Sequence, residues 1–326
     1  MDNLPQKAEK PETPRTRHPL VIITGPTAVG KTDLSLDLAR YFRVPIISAD
    51  SRQCYRYMNI GTAKVSEAVQ KEIHHYHIST LNPDQPFSAA DFAQKVSKWS
   101  DEINKTGHPV LIVGGSTMYI ESLVRPMATL PPRSQRNMRR LEQLEKQRGL
   151  DHIIRLLQRI DPGYLKRIDG PNRQRIFRAL DVWIQTGRPF SSFHEHRPLA
   201  PPKNMLFLCL VRERASLHQR IAQRVDQMIR DGLLEEVTDI LKRGYSPELQ
   251  SLKTVGYREA IRHLNGDLNV AEMTEKIKTS TRRYARRQLT WFRRYSGITT
   301  IPLESQSSSA LTKKIIDRIE HLAAQI

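Results

Sequence analysis

Short, largely apolar runs recur along the chain, each bounded by polar residues, glycine or proline. Five of them are four to seven residues long, at positions 20–24, 44–50, 110–113, 205–211 and 298–302. Runs of this length without polar alternation are typical of strands that are covered on both faces, as the strands of a parallel sheet are. The pattern therefore predicts an α/β fold with a parallel sheet.

Between these runs, apolar residues recur at helical spacing. The stretch 33–42 predicts a helix directly after the first strand, and the capping-box pattern of Ser88 and Asp91 predicts a helix that continues to Ile103. A long helix is predicted over 276–294 and an amphipathic terminal helix from Leu311. We expect these helices to flank the sheet. The apolar positions that define the first two helices are Leu34, Leu38, Phe42, Phe92, Val96, Trp99 and Ile103.

The pattern changes over residues 125–189, where helical segments are separated by glycine and proline and no strand is indicated. We therefore predict a small all-helical domain inserted into a discontinuous core domain of residues 18–124 and 190–326. Residues 1–17 are rich in Pro, Lys, Glu and Thr without apolar periodicity, which is typical of a disordered tail. The apolar positions expected in the core of the insertion are Leu141, Leu144, Ile153, Ile154, Leu157 and Ile160.

The turn after the first strand has the form of a phosphate-binding loop, and its strand–loop–helix context is the one that this motif requires. Two glycines permit a close approach of the backbone to a ligand, a lysine adds positive charge, and a threonine hydroxyl suits Mg²⁺. An accidental glycine-rich turn is the alternative, but every position matches. The pattern favours a site for phosphate or pyrophosphate. The eight residues are Gly25, Pro26, Thr27, Ala28, Val29, Gly30, Lys31 and Thr32.

The chain carries a formal net charge of +18, which is typical of a protein that binds a polyanion. Two windows hold most of this excess. Residues 133–178 contain thirteen Lys and Arg against five acidic residues, and residues 276–294 contain eight against none. Either window alone is consistent with a solvated charged face. Two such windows in a chain with a phosphate loop favour nucleic acid as the partner.

The sequence does not indicate a membrane or a secreted protein. No apolar stretch approaches the ~20 residues of a membrane span, and residues 1–19 contain no apolar core of a signal peptide. Cys54 and Cys209 lie in apolar or strand-like stretches, as reduced thiols do in cytosolic proteins. We therefore expect a cytoplasmic protein with no membrane partner.

Polar side chains follow the second predicted strand. Asp50 comes at its carboxyl end, the edge at which doubly wound sheets hold their ligands, and the segment 50–64 is richer in functional side chains than a connection requires. The run 74–77 holds three histidines, but no carboxylate or cysteine at ligand spacing joins them locally. A structural or loop-ordering role for these imidazoles is the favoured interpretation, and zinc binding is the alternative.

Several of these motifs, in this order, resemble those of the tRNA dimethylallyltransferase family, also called tRNA isopentenyltransferases. The resemblance rests on Gly-Pro-Thr-Ala-x-Gly-Lys-Thr at 25–32, Ile-Ser-Ala-Asp-Ser-x-Gln-x-Tyr at 47–55 and Ile-Gly-Thr-Ala-Lys at 60–64. Further matches are Val-Gly-Tyr-Arg-Glu at 255–259 and Thr-Arg-Arg-Tyr-Ala-Arg-Arg-Gln-Leu-Thr-Trp-Phe-Arg at 281–293. Most of the chain, from about Leu20 to Tyr295, carries the resemblance.

The resemblance implies a P-loop NTPase-like core and an enzyme that modifies tRNA. Such an enzyme transfers a dimethylallyl group from dimethylallyl pyrophosphate to the exocyclic amine of the adenosine 3′-adjacent to the anticodon. The phosphate loop, with Mg²⁺ at Thr32, would hold the pyrophosphate, aided by Lys31, Arg220 and Arg224. The two arginines are four residues apart and would share a helix face; a surface ion-pair role is the alternative. The resemblance implies tRNA as partner, bound at its anticodon stem-loop, and we expect a monomer.

The resemblance also implies roles around the acceptor base. Asp50 is the expected general base, because an adenine amine is a poor nucleophile that must lose a proton; a role around Mg²⁺ is the alternative, and the two are compatible. Ser116, where the family has threonine, would hydrogen-bond near the amine. Met138 stands where the family has a tRNA-facing arginine, so Arg139 or Arg140 is the candidate substitute. The tRNA-binding set is Asp50, Ser51, Arg52, Gln53, Ser116, Gln174, Arg175, Ile176, Phe177 and Arg178, although Ile176 and Phe177 also fit a core role.

Two other functions stay open on the residues alone. A small-molecule kinase also combines a phosphate loop, a second-strand aspartate and lid arginines, but it explains neither basic window. An RNA-stimulated ATPase needs an apolar strand that ends in Asp or Glu, whereas 110–113 is followed by two glycines and 205–211 by Arg212. Prenyl transfer to tRNA accounts for more of these features than either alternative.

Overall fold

A computed structural model of the chain describes residues 18–125, 130–168, 170–193, 201–304 and 308–326. The disordered tail predicted at residues 1–17 lies outside the described residues. Those that are described divide into two compact units, one formed by the residues between 130 and 193 and the other by the remainder. The domain boundaries predicted after residues 124 and 189 stay a prediction.

The larger unit is built on a six-stranded sheet whose neighbouring strands pair in parallel. Its order is β3-β2-β4-β1-β5-β6. The predicted α/β fold with a parallel sheet is confirmed, and a strand forms at each of the five apolar runs. The sequence pattern does not predict β3, because two residues at the sheet edge carry no periodicity. The strands are β1 (Leu20–Thr24), β2 (Ile46–Ser48), β3 (His75–Tyr76), β4 (Val110–Val113), β5 (Met205–Val211) and β6 (Thr299–Pro302).

Helices connect the strands and also form most of the smaller unit. In the larger unit, the described residues form α1 (Lys31–Phe42), α2 (Glu67–Glu72), α3 (Ala89–Asn104), α4 (Thr117–Val124), α9 (Arg214–Arg230), α10 (Leu233–Lys242), α11 (Tyr257–Leu264), α12 (Val270–Phe292) and α13 (Ser308–Ala324). In the smaller unit they form α5 (Gln135–Arg148), α6 (Leu150–Ile160), α7 (Pro162–Leu165), α8 (Arg173–Thr186) and a short 3-10 helix (Phe190–Phe193).

Both faces of the sheet are covered by helices. Along β1, Val21 and Ile23 are buried in one apolar cluster with side chains of α1, α9 and α13, whereas Leu20 and Ile22 are buried in a second cluster with side chains of α3 and α4. Successive residues of a strand point to opposite faces, so a strand covered on both sides has few positions for a polar side chain. This is why the strands appear in the sequence as apolar runs.

The sheet brings several loops together at one edge. β1 lies between β4 and β5, with Leu20 opposite both Val110 and Met205. Because these strands are parallel, their carboxyl ends meet at the same edge, where the chain continues into the phosphate loop after β1 and into Gly114 after β4. Asp50 follows β2 at this edge. Ligands of doubly wound sheets bind in such a position, beside the strand at which the order of connection reverses.

Two helices begin earlier than the sequence predicts. The capping box of α3 is present as expected, with Ser88 and Asp91 each accepting from the backbone N–H of the other. α12, however, begins at Val270 rather than at residue 276, and α13 begins at Ser308 rather than at Leu311. The first turn of α12 is held by a second capping box; of its two bulky apolar residues, Val270 is 44% exposed and Met273 is buried. A single buried apolar residue in a turn is too little to define a periodic pattern in the sequence.

The smaller unit has its own apolar core. Leu141, Ile153 and Leu157 are buried, and Leu144, Ile154 and Ile160 pack against them. No strand occurs among the described residues between 130 and 193. In the part of the chain that is described, no helix has both the length and the apolar composition needed to cross a membrane.

Candidate active site

The phosphate loop connects β1 to α1, as the sequence predicts. Gly25 has φ +139°, and a Cβ at this position would collide with the backbone oxygen of Leu210 on the neighbouring strand β5. Gly30 is the N-cap of α1 with φ +112°, a left-handed conformation that favours glycine. The two glycines therefore allow the loop to turn tightly against the sheet. The first N–H groups of α1 have no partner within the helix, so the loop ends at a set of donors suited to an anion.

Cationic side chains hold the outer carbonyl groups of this loop. Lys31 Nζ donates to the carbonyl oxygens of Gly25 (3.0 Å) and Pro26 (2.8 Å). Arg220 Nε donates to the oxygen of Ala28 (2.9 Å), and Arg212 Nε donates to that of Val29 (2.8 Å). Arg212 also pairs with Glu304 (3.4 Å). These four contacts to charged donors fix the loop conformation and bring three positive charges next to it. Arg212 is not among the residues that the sequence motifs indicate.

Lys31 of the loop and Arg224 of α9 lie in surroundings that disfavour their positive charge as long as no anion is bound. Burial lowers the pKa of Lys31 to about 8; the charge of Arg224 acts in the same direction and that of Asp50 opposes it. Burial also lowers the pKa of Arg224, again against the effect of Asp50. A bound anion would offset this desolvation and repulsion. The electrostatics therefore favour a strongly negative ligand here.

Asp50 lies two residues beyond β2 and faces the same cavity as the phosphate loop. Its Oδ1 accepts hydrogen bonds from the backbone N–H groups of Arg52 (2.8 Å) and Gln53 (3.3 Å), so its own turn fixes the carboxylate. Within the described residues, Oδ2 has no hydrogen bond. The second oxygen is thus available to accept a proton or to bind a cation.

The loop after β4 packs closely against Ala49, the residue before Asp50. A Cβ on Gly114 would overlap the backbone of Ala49, and a Cβ on Gly115 would overlap the side-chain amide of Gln288. Ser116 caps α4, is buried, and donates its backbone N–H to the oxygen of Ala49 (3.1 Å). Ser116 therefore lies beside the segment that carries Asp50. Its side chain is not part of the lining of the cavities described below.

Gln288 of α12 connects the two loops. Its side-chain Nε2 donates to the oxygen of Gly115 (2.7 Å), and its Oε1 accepts from the backbone N–H of Thr27 (2.9 Å). Gln288 is only 2% exposed. The sequence does hold a signal for this role, because Gln288 falls on the same helix face as the buried residues Ala285 and Phe292. A polar residue on an otherwise buried face needs a partner.

Two adjoining cavities open around these groups. The first, of about 510 Å³, contains the phosphate loop, Asp50 and Gln53 on one side and Arg220 and Arg224 of α9 on the other. The second, of about 210 Å³, is bounded by Asp50 and Arg52 and by apolar side chains of α9 and α12. Asp50, Thr27, Arg224 and Tyr284 line both cavities. A ligand with an anionic end and an apolar end fits this pair of environments.

The long helix α12 presents most of its arginines to solvent. Its buried residues include Met273, Ile277, Ala285, Gln288 and Phe292. Between and around them, the exposed arginines are Arg283, Arg286 and Arg287 and, just beyond the helix, Arg293 and Arg294. An exposed row of guanidinium groups on one helix is suited to the phosphate backbone of a nucleic acid.

The smaller unit contains the other residues predicted to bind RNA, and they differ in accessibility. Gln174 and Arg175 are exposed on α8. Ile176 and Phe177 are 0% and 2% exposed in the apolar core of the unit, so their place among the expected RNA contacts is corrected. They follow Arg175 in sequence, but they lie about 100° and 200° around the helix axis from it, on the side that faces the core of the unit.

Arg178 has a structural role in this unit. Its NH1 pairs with the fully buried carboxylate of Asp181 (2.9 Å), and its NH2 donates to the oxygen of Pro131 (2.5 Å). Asn137 donates to the same carboxylate (3.0 Å). Most of the guanidinium is therefore engaged within the protein. Met138 packs on the core of the unit, whereas its neighbours Arg139 and Arg140 are exposed and remain available.

The histidines at 74–77 do not share one environment. His77 is buried among Phe87, Phe92 and Tyr119, and burial lowers its pKa to about 4. His75 donates its Nδ1–H to the backbone carbonyl oxygen of Ile73 (2.7 Å). Among the described residues, no group of three or more His, Cys, Asp or Glu is arranged to hold a metal ion. The observed contacts of these two imidazoles are aromatic packing, the backbone hydrogen bond of His75 and a contact of 3.5 Å between His77 Nδ1 and the hydroxyl of Thr80.

Comparison with known proteins identifies relatives over most of the chain. A family model described as IPP transferase matches residues 53–295. The chain is 41% identical over 280 residues to the tRNA dimethylallyltransferase of Clostridioides difficile, covering 85% of this chain and 89% of that protein. It is 40% identical over 302 residues to the enzyme of the same name from Alkaliphilus metalliredigens, covering 92% of this chain and 97% of that one.

Solved structures show the same relationship. The crystal structure of the tRNA isopentenylpyrophosphate transferase of Bacillus halodurans superposes with a TM-score of 0.68 at 31% identity, covering 94% of this chain and 99% of that one. A eukaryotic dimethylallyltransferase acting on tRNA superposes with a TM-score of 0.74 at 22% identity, covering 92% of this chain and 78% of that one. At that identity, the second likeness supports the fold alone.

Proposed function

The chain belongs to the IPP transferase family, and from this premise we propose that it is a tRNA dimethylallyltransferase. It would transfer the dimethylallyl group of dimethylallyl pyrophosphate to the N6 amine of the adenosine 3′-adjacent to the anticodon, with release of pyrophosphate. The observation that carries the proposal is the cavity in which the phosphate loop, Asp50, Arg220 and Arg224 come together. Relatives about 40% identical over most of the chain carry the same name.

The pyrophosphate of the donor would lie against the phosphate loop. The N-terminus of α1 supplies backbone donors there, and Lys31, Arg220 and Arg224 supply charge. Negative charge grows on the pyrophosphate oxygen as its bond to the dimethylallyl carbon breaks, so these fixed donors stabilise the transition state more than the bound substrate. The apolar dimethylallyl group would then extend towards the second cavity, beside Ile221, Val225 and Met228.

Magnesium fits the donor set of this site. The Thr32 hydroxyl and the Asp50 carboxylate line one cavity, and Mg²⁺ prefers such oxygen ligands together with those of phosphate groups. When bound, the ion would neutralise part of the charge on the pyrophosphate. Thr32 is the proposed protein ligand. Asp50 lines the same cavity, so it would lie beside the ion and could still act as the base.

Asp50 is the proposed general base. The adenine N6 forms a bond to the dimethylallyl carbon as the carbon–oxygen bond to pyrophosphate breaks, and N6 must give up one proton. Asp50 Oδ2, which has no hydrogen bond in the described part of the chain, would accept that proton, while Oδ1 stays bonded to the N–H groups of Arg52 and Gln53. Ser51, Arg52 and Gln53 would line the entering nucleotide, and Ser116, which lies outside both cavities, would support the segment that carries Asp50 through its hydrogen bond to Ala49.

Each of the two units offers surface for tRNA. The exposed arginines of α12 would contact phosphates of the anticodon stem-loop, and so would Arg175 and Gln174 on the smaller unit. The acceptor adenosine lies in a single-stranded loop, where extrusion of a base costs only a few kcal/mol. We propose that the protein acts as a monomer in the cytoplasm, with tRNA and dimethylallyl pyrophosphate as its two substrates.

Transfer of label from radioactive dimethylallyl pyrophosphate to tRNA, in the presence of Mg²⁺, tests this proposal. The result expected is label in RNA for the wild type and for Lys242→Ala, an exposed lysine of α10, but not for Lys31→Ala. Phosphorylation of a small molecule or RNA-stimulated hydrolysis of ATP, without prenyl transfer, would instead favour a kinase or an ATPase. Melting curves of both variants establish that they are folded.

A further inference from the structure

A carboxylate outside the cavities described above holds the loop of residues 59–64. Glu236 of α10 accepts hydrogen bonds at Oε2 from the backbone N–H groups of Asn59 (2.7 Å) and Ile60 (2.8 Å), and at Oε1 from that of Gly61 (3.1 Å). The hydroxyl of Tyr257 donates to the same Oε1 (2.6 Å). Four donors thus converge on one side chain. Three consecutive N–H groups bound by a charged acceptor leave this part of the loop little freedom.

The far end of the same loop contacts two side chains of the proposed active site. Gln53 Nε2 donates to the carbonyl oxygens of Thr62 (3.2 Å) and Ala63 (3.3 Å). Arg224 NH2 donates to the oxygen of Thr62 (3.4 Å). Gln53 and Arg224 line the cavity that holds the phosphate loop. Because residues 62 and 63 follow directly, a shift of residues 59–61 would also move the carbonyl oxygens that hold Gln53 and Arg224, the side chains assigned to the nucleotide and the pyrophosphate.

The contact between the loop and Tyr257 leaves no space for a shift inwards. The ring of Tyr257 is fully buried, and a Cβ added to Gly61 would lie 2.5 Å from its Cε2 and 2.9 Å from Leu233 Cδ1. Burial, followed by the proximity of Glu236, raises the pKa of Tyr257 well above its usual range, so the hydroxyl remains a neutral donor. Lys64 closes the other end, because its Nζ donates to Tyr55 O (2.6 Å) and to Asn59 Oδ1 (2.9 Å).

We propose that Glu236 is a positioning residue for prenyl transfer, which sets Gln53 and Arg224 through the backbone of residues 59–64. The proposal rests on the proposed function, because it assigns Gln53 to the nucleotide and Arg224 to the pyrophosphate. Glu236 touches neither reacting group. Its effect on the reaction is geometric: displacement of a substrate-positioning group by about 1 Å costs up to about 100-fold in rate.

Glu236→Gln is the first variant, because it keeps the size of the side chain but replaces one acceptor oxygen with a donor. We expect kcat to fall about 10- to 100-fold. The Kd for tRNA should change less than about threefold, since the arginines of α12 are untouched. Glu236→Asp keeps both acceptor oxygens and should recover part of the rate. Glu235→Gln is the matched control: it makes the same change on the same turn of α10 at an exposed residue that has no hydrogen bond among the described residues.

Gly61→Ala reaches the same loop without changing Glu236. Its Cβ must displace the backbone from the buried ring of Tyr257, so it should reproduce the loss in kcat and the unchanged Kd for tRNA. Both variants are assayed at a temperature at which circular dichroism shows them folded. Folded Glu236→Gln with wild-type kcat would overturn the proposal and leave Glu236 a purely stabilising residue.

The inference and the proposed function fail in different ways. If the wild type transfers no prenyl group, the proposed function fails, but calorimetric titration with inorganic pyrophosphate and Mg²⁺ still tests the position of Arg224. We expect Glu236→Gln to weaken that binding about tenfold and Glu235→Gln to leave it unchanged. Equal pyrophosphate affinity in the wild type and both variants would contradict the link from Glu236 to Arg224, whatever the reaction is.

Discussion

The exchange of Gln288 for leucine tests whether α12 holds the phosphate loop. Leucine has a similar volume but removes the acceptor for Thr27 N–H and the donor for Gly115 O, two contacts of 2.9 and 2.7 Å at a residue that is 2% exposed. A buried polar group left without a partner costs about 1–3 kcal/mol. The two groups together cost about 2–6 kcal/mol, and the apolar surface gained by leucine offsets about 1 kcal/mol of this.

The expected effect of Gln288→Leu is therefore a local loss of about 1–5 kcal/mol. Native-state hydrogen exchange at the Thr27 amide measures it directly, because a loss of 2 kcal/mol corresponds to roughly 30-fold faster exchange. Gln219→Leu, the same change at an exposed position of α9, should stay within about 0.5 kcal/mol of the wild type. Unchanged exchange at Thr27 in Gln288→Leu would refute the claim that this glutamine fixes the loop.

Three further predictions follow from the site. Asp50→Asn keeps the acceptor for the N–H groups of Arg52 and Gln53 but removes the base. Turnover should therefore fall about 10²- to 10⁴-fold, with the affinity for tRNA nearly intact. Near-normal turnover would exclude Asp50 as the base. Lys31 has a pKa lowered to about 8, so it loses its charge as the pH rises above that value. The affinity for pyrophosphate, measured by calorimetry, should therefore fall more between pH 7 and pH 9 in the wild type than in Lys31→Met. Parallel pH profiles of affinity in the two proteins would contradict this. Arg175→Ala should weaken tRNA binding and reduce the slope of log affinity against log salt concentration by about 1. Arg178→Ala should instead destabilise the smaller unit by about 3 kcal/mol, because it removes the charge partner of buried Asp181. Thermal melts and filter binding of both variants separate the two roles.

The sequence predicts those parts of the molecule that leave a local pattern. The five apolar runs, the phosphate loop and the capping box of α3 are each recognisable within about ten residues, and each is present. Asp50 is recognisable for the same reason, since it follows a buried strand by two residues. The pattern also extends to sidedness on a helix: Ile176 and Phe177 belong to the periodic apolar face of α8, and their burial follows from that face rather than from the arginines beside them.

The contacts that sequence analysis misses join residues far apart in the chain. Gln288 meets Thr27, and Glu236 meets Asn59, only because the parallel sheet and its crossover helices bring these segments to one edge. Arg212 reaches the carbonyl of Val29 across neighbouring strands in the same way. No spacing rule in a single sequence predicts such pairs. The strand β3 is missed for a different reason, because two residues at a sheet edge show no period.

The most direct test of the proposed function uses two synthetic anticodon stem-loops that differ only at the nucleotide 3′-adjacent to the anticodon, adenosine in one and guanosine in the other. Each is incubated with the protein, Mg²⁺ and dimethylallyl pyrophosphate, and the RNA is digested and analysed by mass spectrometry. We predict one dimethylallyl group on the adenosine of the first stem-loop and none on the second. Modification of both, or of neither while the protein is folded and binds pyrophosphate, would contradict prenyl transfer to that adenosine.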